Sequence, residues 1–221
     1  MYDIREFVDQ TPGHPPVRGF LHTPEAFSGD GLILTHGAGV NCQSPLLRKL
    51  ADAFCESGMM VLRCDLPFRQ LRPHGPPLRG SAEEDRQGLR RAVELIRQQI
   101  SGRVFLGGHS YGGRQATILA AGEPGLVEGL LLLSYPLHPP KRPDQLRTAH
   151  FSNLRTPALF AHGTRDGFGT IDELTAALKL IPAKTELLAI ADVGHELLSK
   201  RGSEEVPDSI VNAFATMFRA G

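Results

Sequence analysis

The chain has 221 residues, with 24 Lys and Arg against 24 Asp and Glu, so its formal net charge is zero. This length fits one domain able to bury about 70% of its unfolded surface, and no basic block argues for nucleic acid or an anionic membrane as a partner. No apolar run approaches the length of a membrane span. The N-terminal MYDIREFVDQ lacks the apolar core of a signal peptide, and three cysteines without metal-type spacing, Cys42, Cys55 and Cys64, read as reduced thiols of a cytoplasmic protein.

Strand and helix signals alternate along the chain. DIREFVD and VRGFLHT read as early strands parted by the Pro/Gly-rich QTPGHPP, and the SGDG turn leads into the apolar strand LILTHG. SPLLRKLADAFCESG reads as a helix with Ser44 at the N-cap, Pro45 at its first position and Gly58 just past its end; Leu46, Leu47, Leu50, Ala51 and Phe54 make one apolar stripe. MMVLRCDLP is the next strand. SAEEDRQGLRRAVELIRQQI is a helix expected to open with a capping box, Ser81 with Glu84. After VFL and an apolar helix ending at Gly122 come the strand LLLLSYPL, the strand ALFAHG, the helix TIDELTAALKLI with a second box (Thr170 and Glu173), the strand TELLAIA and the closing helix PDSIVNAFATMFR. Strands apolar on both faces, alternating with amphipathic helices, predict an α/β fold with a mostly parallel sheet covered on both sides. There is no internal repeat or linker, so residues 1–221 read as a single domain.

Between VFL and its helix stands GGHSYGG. Gly108 and Gly112 flank Ser110 in a G-x-S-x-G spacing. That spacing suits a nucleophile elbow, a strained strand-to-helix turn that lifts a serine hydroxyl clear of the backbone. A side chain at either glycine is expected to clash where strand and helix approach, and the helix N-terminus favours developing negative charge.

Ligands of such a sheet bind beyond the carboxyl ends of its strands. The polar residues placed there are His36 to Gly39, Asp65 to Arg72, Ser110 with Tyr111, Ser134 to His138, Arg165 with Asp166, and His195. A serine hydroxyl needs a base, and the base needs a carboxylate to fix its tautomer. His195 in VGHEL and Asp166 in HGTRDGFGT supply them, in the chain order Ser, Asp, His. Asp192, three residues from His195, and Asp144 are the rival acids. Oxyanion donors are expected from the backbone N–H of Tyr111 and from the HGAGV loop, with Ala38 the first choice. His109 and His162 read as structural, and no histidine spacing argues for zinc.

GGHSYGGR, HGAG, HGTRDGFGT and VGHEL together resemble the α/β-hydrolase superfamily, and the compact layout resembles its dienelactone-hydrolase-like branch. DLPFRQLRPHGPP further resembles a subgroup that includes a subunit of the non-specific-lethal chromatin complex. The resemblance implies an α/β-hydrolase fold of about seven or eight strands with no large cap. It also implies serine-hydrolase chemistry with no metal or organic cofactor. Typical dienelactone hydrolases use a cysteine nucleophile where this chain has Ser110, so that activity is not carried over.

The expected function is hydrolysis of a small-molecule carboxylic ester; the alternative is a catalytically idle domain that binds a protein partner. Residues 138–157 are too short and proline-rich for a helical cap, so an open site is expected. Arg69, Arg72 and Arg79 fall near the ligand side, where Arg69 and Arg72 are the candidates for a substrate carboxylate, against a plain solvated loop stiffened by prolines. Arg114, just past the elbow, is expected to form an ion pair on the helix surface.

Overall fold

The computed structural model describes residues 2–198 and 205–219. In chain order the elements are β1 (Tyr2–Asp9), β2 (Val17–Pro24), β3 (Gly31–Thr35), α1 (Pro45–Glu56), β4 (Met60–Asp65), α2 (Pro67–Leu71), α3 (Ser81–Arg97), β5 (Val104–His109), α4 (Tyr111–Gly122), β6 (Gly129–Leu133), β7 (Ala158–Gly163), α5 (Ile171–Leu178), β8 (Thr185–Ile190) and α6 (Glu205–Met217). They build one eight-stranded sheet in the order β1-β2-β4-β3-β5-β6-β7-β8. β1 and β2 run antiparallel to their neighbours, and every pairing from β4 to β8 is parallel.

Alternation of side chains along each strand divides the apolar residues between two cores. Ile33, Leu62, Leu106, Leu130, Leu132 and Phe160 pack under α3, α4 and α5. Leu32, Leu34, Val61, Phe105, Leu131, Leu133 and Leu159 pack under α1 and α6. This is why the strands read as unbroken apolar runs: each face has its own helical layer. The chain leaves β3 toward β4 on one side, while β5 begins the run on the other. The crevice between the carboxyl ends of β3 and β5 is therefore the topological switch point.

The local signals mostly hold. Ser44 caps α1 with Pro45 in its first turn, and Gly58 follows at φ +98°. The Thr170–Glu173 capping box is formed. The Ser81–Glu84 box is not: the N-cap of α3 is Gly80, at φ 92°, and Ser81 already lies inside the helix, where its hydroxyl donates to the Leu78 carbonyl at 3.0 Å. The tight left-handed turn at Gly80 moves the boundary one residue upstream of the position a capping box requires. α2 is a further correction, because PFRQL forms a short helix where a proline-stiffened loop was expected. Pro67 sits in its first turn, where a missing N–H costs nothing. β6 stops at Leu133 rather than running to Leu137, because Ser134 turns to φ 47°.

Candidate active site

The elbow is built by close approach. A Cβ on Gly108 would lie 2.7 Å from backbone atoms of Gly112 and Gly113, and one on Gly112 would lie 2.6 Å from the His36 carbonyl. Only glycine allows β3, β5 and α4 to meet at this distance. Ser110 stands between them at φ 51°, ψ −114°, a backbone conformation that costs a non-glycine residue on the order of 1–3 kcal/mol. Its N–H donates to the Leu133 carbonyl at 2.8 Å and its carbonyl accepts from Arg114 N–H at 3.0 Å. These two bonds hold the serine in the strained turn.

His195 and Asp166 come to it from the ends of β8 and β7. The Ser110 hydroxyl donates to His195 Nε2 at 2.8 Å, and His195 Nδ1–H donates to Asp166 Oδ2 at 2.8 Å. Asp166 Oδ1 accepts the Phe168 N–H at 2.8 Å. Burial pushes the Asp166 carboxyl up, but its bonds to His195 and Phe168 and the nearby imidazoles outweigh that, and the group is held below the usual carboxylate range. Asp192, the rival acid, points away: it pairs with Arg165 at 2.6 Å, and both side chains are exposed. Asp144 is also exposed.

Phe168, which sequence reasoning passed over, and His109 and His162, which it read as structural, support this line. Phe168 packs its ring 4.2 Å from the His195 imidazole. His109 Nε2–H donates to the His195 carbonyl at 2.8 Å, so the elbow itself grips the loop that carries His195. His162 Nε2–H holds the Gly169 carbonyl at 2.8 Å below Asp166. The G-H-S and A-H-G patterns were visible, but a single chain gives no signal for where those rings point.

The loop after β3 lies against the serine. A Cβ on Gly37 would sit 2.9 Å from His109 Nδ1 and 3.5 Å from Ser110 Cβ. His36 Nδ1–H donates to the Gly37 carbonyl at 2.8 Å, while its Nε2 accepts the Leu66 N–H at 3.1 Å. Across a trans peptide the carbonyl and the next N–H point in opposite directions. Fixing the Gly37 carbonyl against His36 therefore turns the Ala38 N–H the other way. Burial drives His36 down to about 4, so its ring stays neutral and keeps both roles near neutral pH.

Arg69 is committed elsewhere than to a ligand. Its guanidinium donates to the carbonyls of Val40, Arg72, Ala38 and Gly75 at 2.9, 2.9, 2.7 and 2.9 Å, and the residue is only 5% exposed. It ties the Ala38–Val40 loop to the segment after α2, and has too few free N–H groups for a bidentate carboxylate. Arg72 is half-buried. With Phe68, Leu71, Leu78 and Arg79 it lines a cleft of about 230 Å³. Phe68 also bridges α2 to the elbow. Its N–H donates to Asp85 Oδ1 at 3.0 Å and the Tyr111 hydroxyl donates to Asp85 Oδ2 at 2.7 Å. A larger hollow of about 460 Å³ at Tyr2, Asp3, Thr23, Pro24 and Glu25 lies at the opposite edge of the sheet, where β2 ends, away from Ser110.

Among the described residues no helix is long and apolar enough to cross a membrane, and no cluster of three His, Cys, Asp or Glu could hold a metal ion.

Residues 29–220 match the model of the alpha/beta hydrolase domain family. The fold also matches a dienelactone hydrolase from Anabaena variabilis ATCC 29413 at 21% identity and TM-score 0.74, covering 98% of this chain and 97% of that one. It matches Est1E from Butyrivibrio proteoclasticus, solved with ferulic acid, at 15% identity and TM-score 0.78, covering 97% and 100%. A lidless α/β serine hydrolase, XC6422 from Xanthomonas campestris, matches at 17% identity and TM-score 0.76, covering 99% and 97%. With its open eight-stranded sheet and no cap domain, the chain belongs to the alpha/beta hydrolase domain family.

Proposed function

We propose that the protein is a serine hydrolase that cleaves a small carboxylic ester through Ser110, His195 and Asp166. The observation that carries this reading is the continuous chain of two 2.8 Å hydrogen bonds from the Ser110 hydroxyl through His195 to the buried Asp166. His195 takes the Ser110 proton as the hydroxyl attacks the carbonyl carbon. Asp166 orients the ring and stabilises the imidazolium. The backbone N–H groups of Tyr111 and Ala38 bind the tetrahedral oxyanion, each worth about 3–4 kcal/mol of barrier. His195 then protonates the leaving alcohol. Water, activated by the same histidine, releases the acid and returns the serine. This mechanism needs no metal or organic cofactor.

The three buried free cysteines support a reducing, cytoplasmic setting. The cleft beside Arg72 and Phe68 is the proposed seat for part of the substrate.

The test is covalent labelling by a fluorophosphonate, with native protein compared with Ser110→Ala. Labelling of the native protein alone is expected. Equal labelling of both, or of neither while circular dichroism shows folded protein, overturns the reading.

A further inference from the structure

Among the described residues Arg114 does not form the surface ion pair expected of it. Neither Arg114 nor Arg147 has a carboxylate partner among the described residues, and Arg114 Nε is buried without any hydrogen bond. The contrast with the other inward-facing arginines is instructive. Arg63 and Arg69 are buried too, but backbone carbonyls and a neutral histidine take up their N–H groups.

Several contacts bring Arg114, Arg147 and His150 to one place. Arg114 lies one helical turn after Ser110, and side chains on a helix lean toward its N-terminus, here toward the serine. Thr117, on the next turn, donates to the Arg114 carbonyl at 2.8 Å and receives His150 Nε2–H at 2.8 Å. The Tyr135 hydroxyl, which Arg114 reaches, donates to the Arg147 carbonyl at 2.7 Å. Arg147 N–H bonds the Leu137 carbonyl at 2.8 Å and its Nη1 lies 3.3 Å from the Pro136 carbonyl, in the loop that leaves β6 on the Ser110 edge. The Arg114 charge, added to burial, holds both Arg147 and His150 below their ordinary values, His150 at about 4. Two half-buried cations with no counter-charge repel each other, and an anion between them relieves both.

We propose that Arg114 and Arg147, with His150 beside them, form a subsite for an oxyanion, a carboxylate or a phosphate, carried by the ester that Ser110 cleaves. Guanidinium forks suit either group. The inference rests on the hydrolase reading above and adds a substrate class to it: esters bearing an anionic group near the scissile bond.

The test compares monoethyl esters of succinate, glutarate and adipate with ethyl butyrate, pentanoate and hexanoate, and O-acetyl-4-hydroxybutyrate with butyl acetate. At least one anionic ester is expected to exceed its neutral counterpart about ten- to hundredfold in kcat/KM. Arg114→Gln and Arg147→Gln should each collapse that ratio, Arg114→Lys should keep part of it, and the exposed Arg155→Gln should leave it intact. Succinate and inorganic phosphate, at matched ionic strength, should separate the two anions: whichever is bound raises Tm of the native protein and not of Arg114→Gln. A ratio near one in every pair, or a ratio that Arg114→Gln and Arg147→Gln both leave unchanged, overturns the proposal. Absent Tm shifts with both anions do the same. Loss of fluorophosphonate labelling in the native protein would instead overturn the hydrolase reading, with the Tm comparison still deciding on the anion site.

Discussion

The Arg165 amide donates to the Val193 carbonyl at 2.9 Å, clasping the loop that carries Asp166 to the loop that carries His195. Directly below, a Cβ on Gly163 would lie 2.4 Å from that same carbonyl. The separation of Asp166 and His195 is thus set by a backbone contact that only glycine permits. Gly163→Ala is expected to force the loops apart. It should lower kcat by up to about a hundredfold, roughly what a misplacement of an ångström costs, with a smaller effect on KM. Steady-state kinetics on a neutral ester checks this, and an unchanged kcat would show that the loops can yield.

Asp166→Asn should lower kcat by about four orders of magnitude, because an amide in that place favours the wrong tautomer of His195. Asp192→Asn should change it little, since Asp192 serves only the exposed Arg165. Parallel kinetics of the two variants decides between them; the reverse result would make Asp192 the acid.

Removing Arg69 should loosen the Ala38–Val40 loop, from which the proposed oxyanion donor comes, without touching substrate. Arg69→Gln leaves the Ala38 and Val40 carbonyls without their guanidinium donor. A drop in kcat of ten- to a thousandfold is expected, in the range set by loss of one oxyanion donor, together with a lower Tm. Arg69→Lys should rescue little, because an ammonium cannot fork to both sides of the loop. Rescue by lysine would mean that charge, not the fork, matters.

His36 makes stability depend on pH. Its folded value of about 4 lies below the ordinary 6.5, so between those limits the unfolded chain binds more protons than the folded one. Stability is therefore full above about 6.5, falls as pH drops through that window, and levels off below about 4. The loss is expected to be on the order of 2–4 kcal/mol for this residue. Asp166, held low instead, adds its own loss only at more acid pH, below the usual carboxylate value of 3.8. Urea unfolding at pH 7, 5.5 and 4.5 should show the slope, to which the buried His22 and the half-buried His150, each also near 4, add their own shares, and His36→Gln should lessen it by its share. Equal slopes in both proteins would remove His36 as the cause.

Much of the architecture is written in the chain itself. Unbroken apolar runs in LILT and LLLL, helical stripes such as Leu46, Leu50 and Phe54, and the glycines around Ser110 each encode a short-range constraint, so strand, helix and elbow follow from local physics. Chain order and placement after strand ends were enough to pick out Ser110, Asp166 and His195 as a candidate set. What the sequence left open depends on contacts between residues far apart in the chain. Asp166 follows β7 and Asp192 follows its neighbour β8, and only the folded loops show that one faces His195 while the other faces solvent. Arg69 and Arg114 look alike as residues near the ligand edge. Tertiary packing saturates one with backbone carbonyls and leaves the other, beside Arg147, without a counter-charge. Burial and the direction of a guanidinium are properties of the assembled sheet edge, and no local pattern carries them.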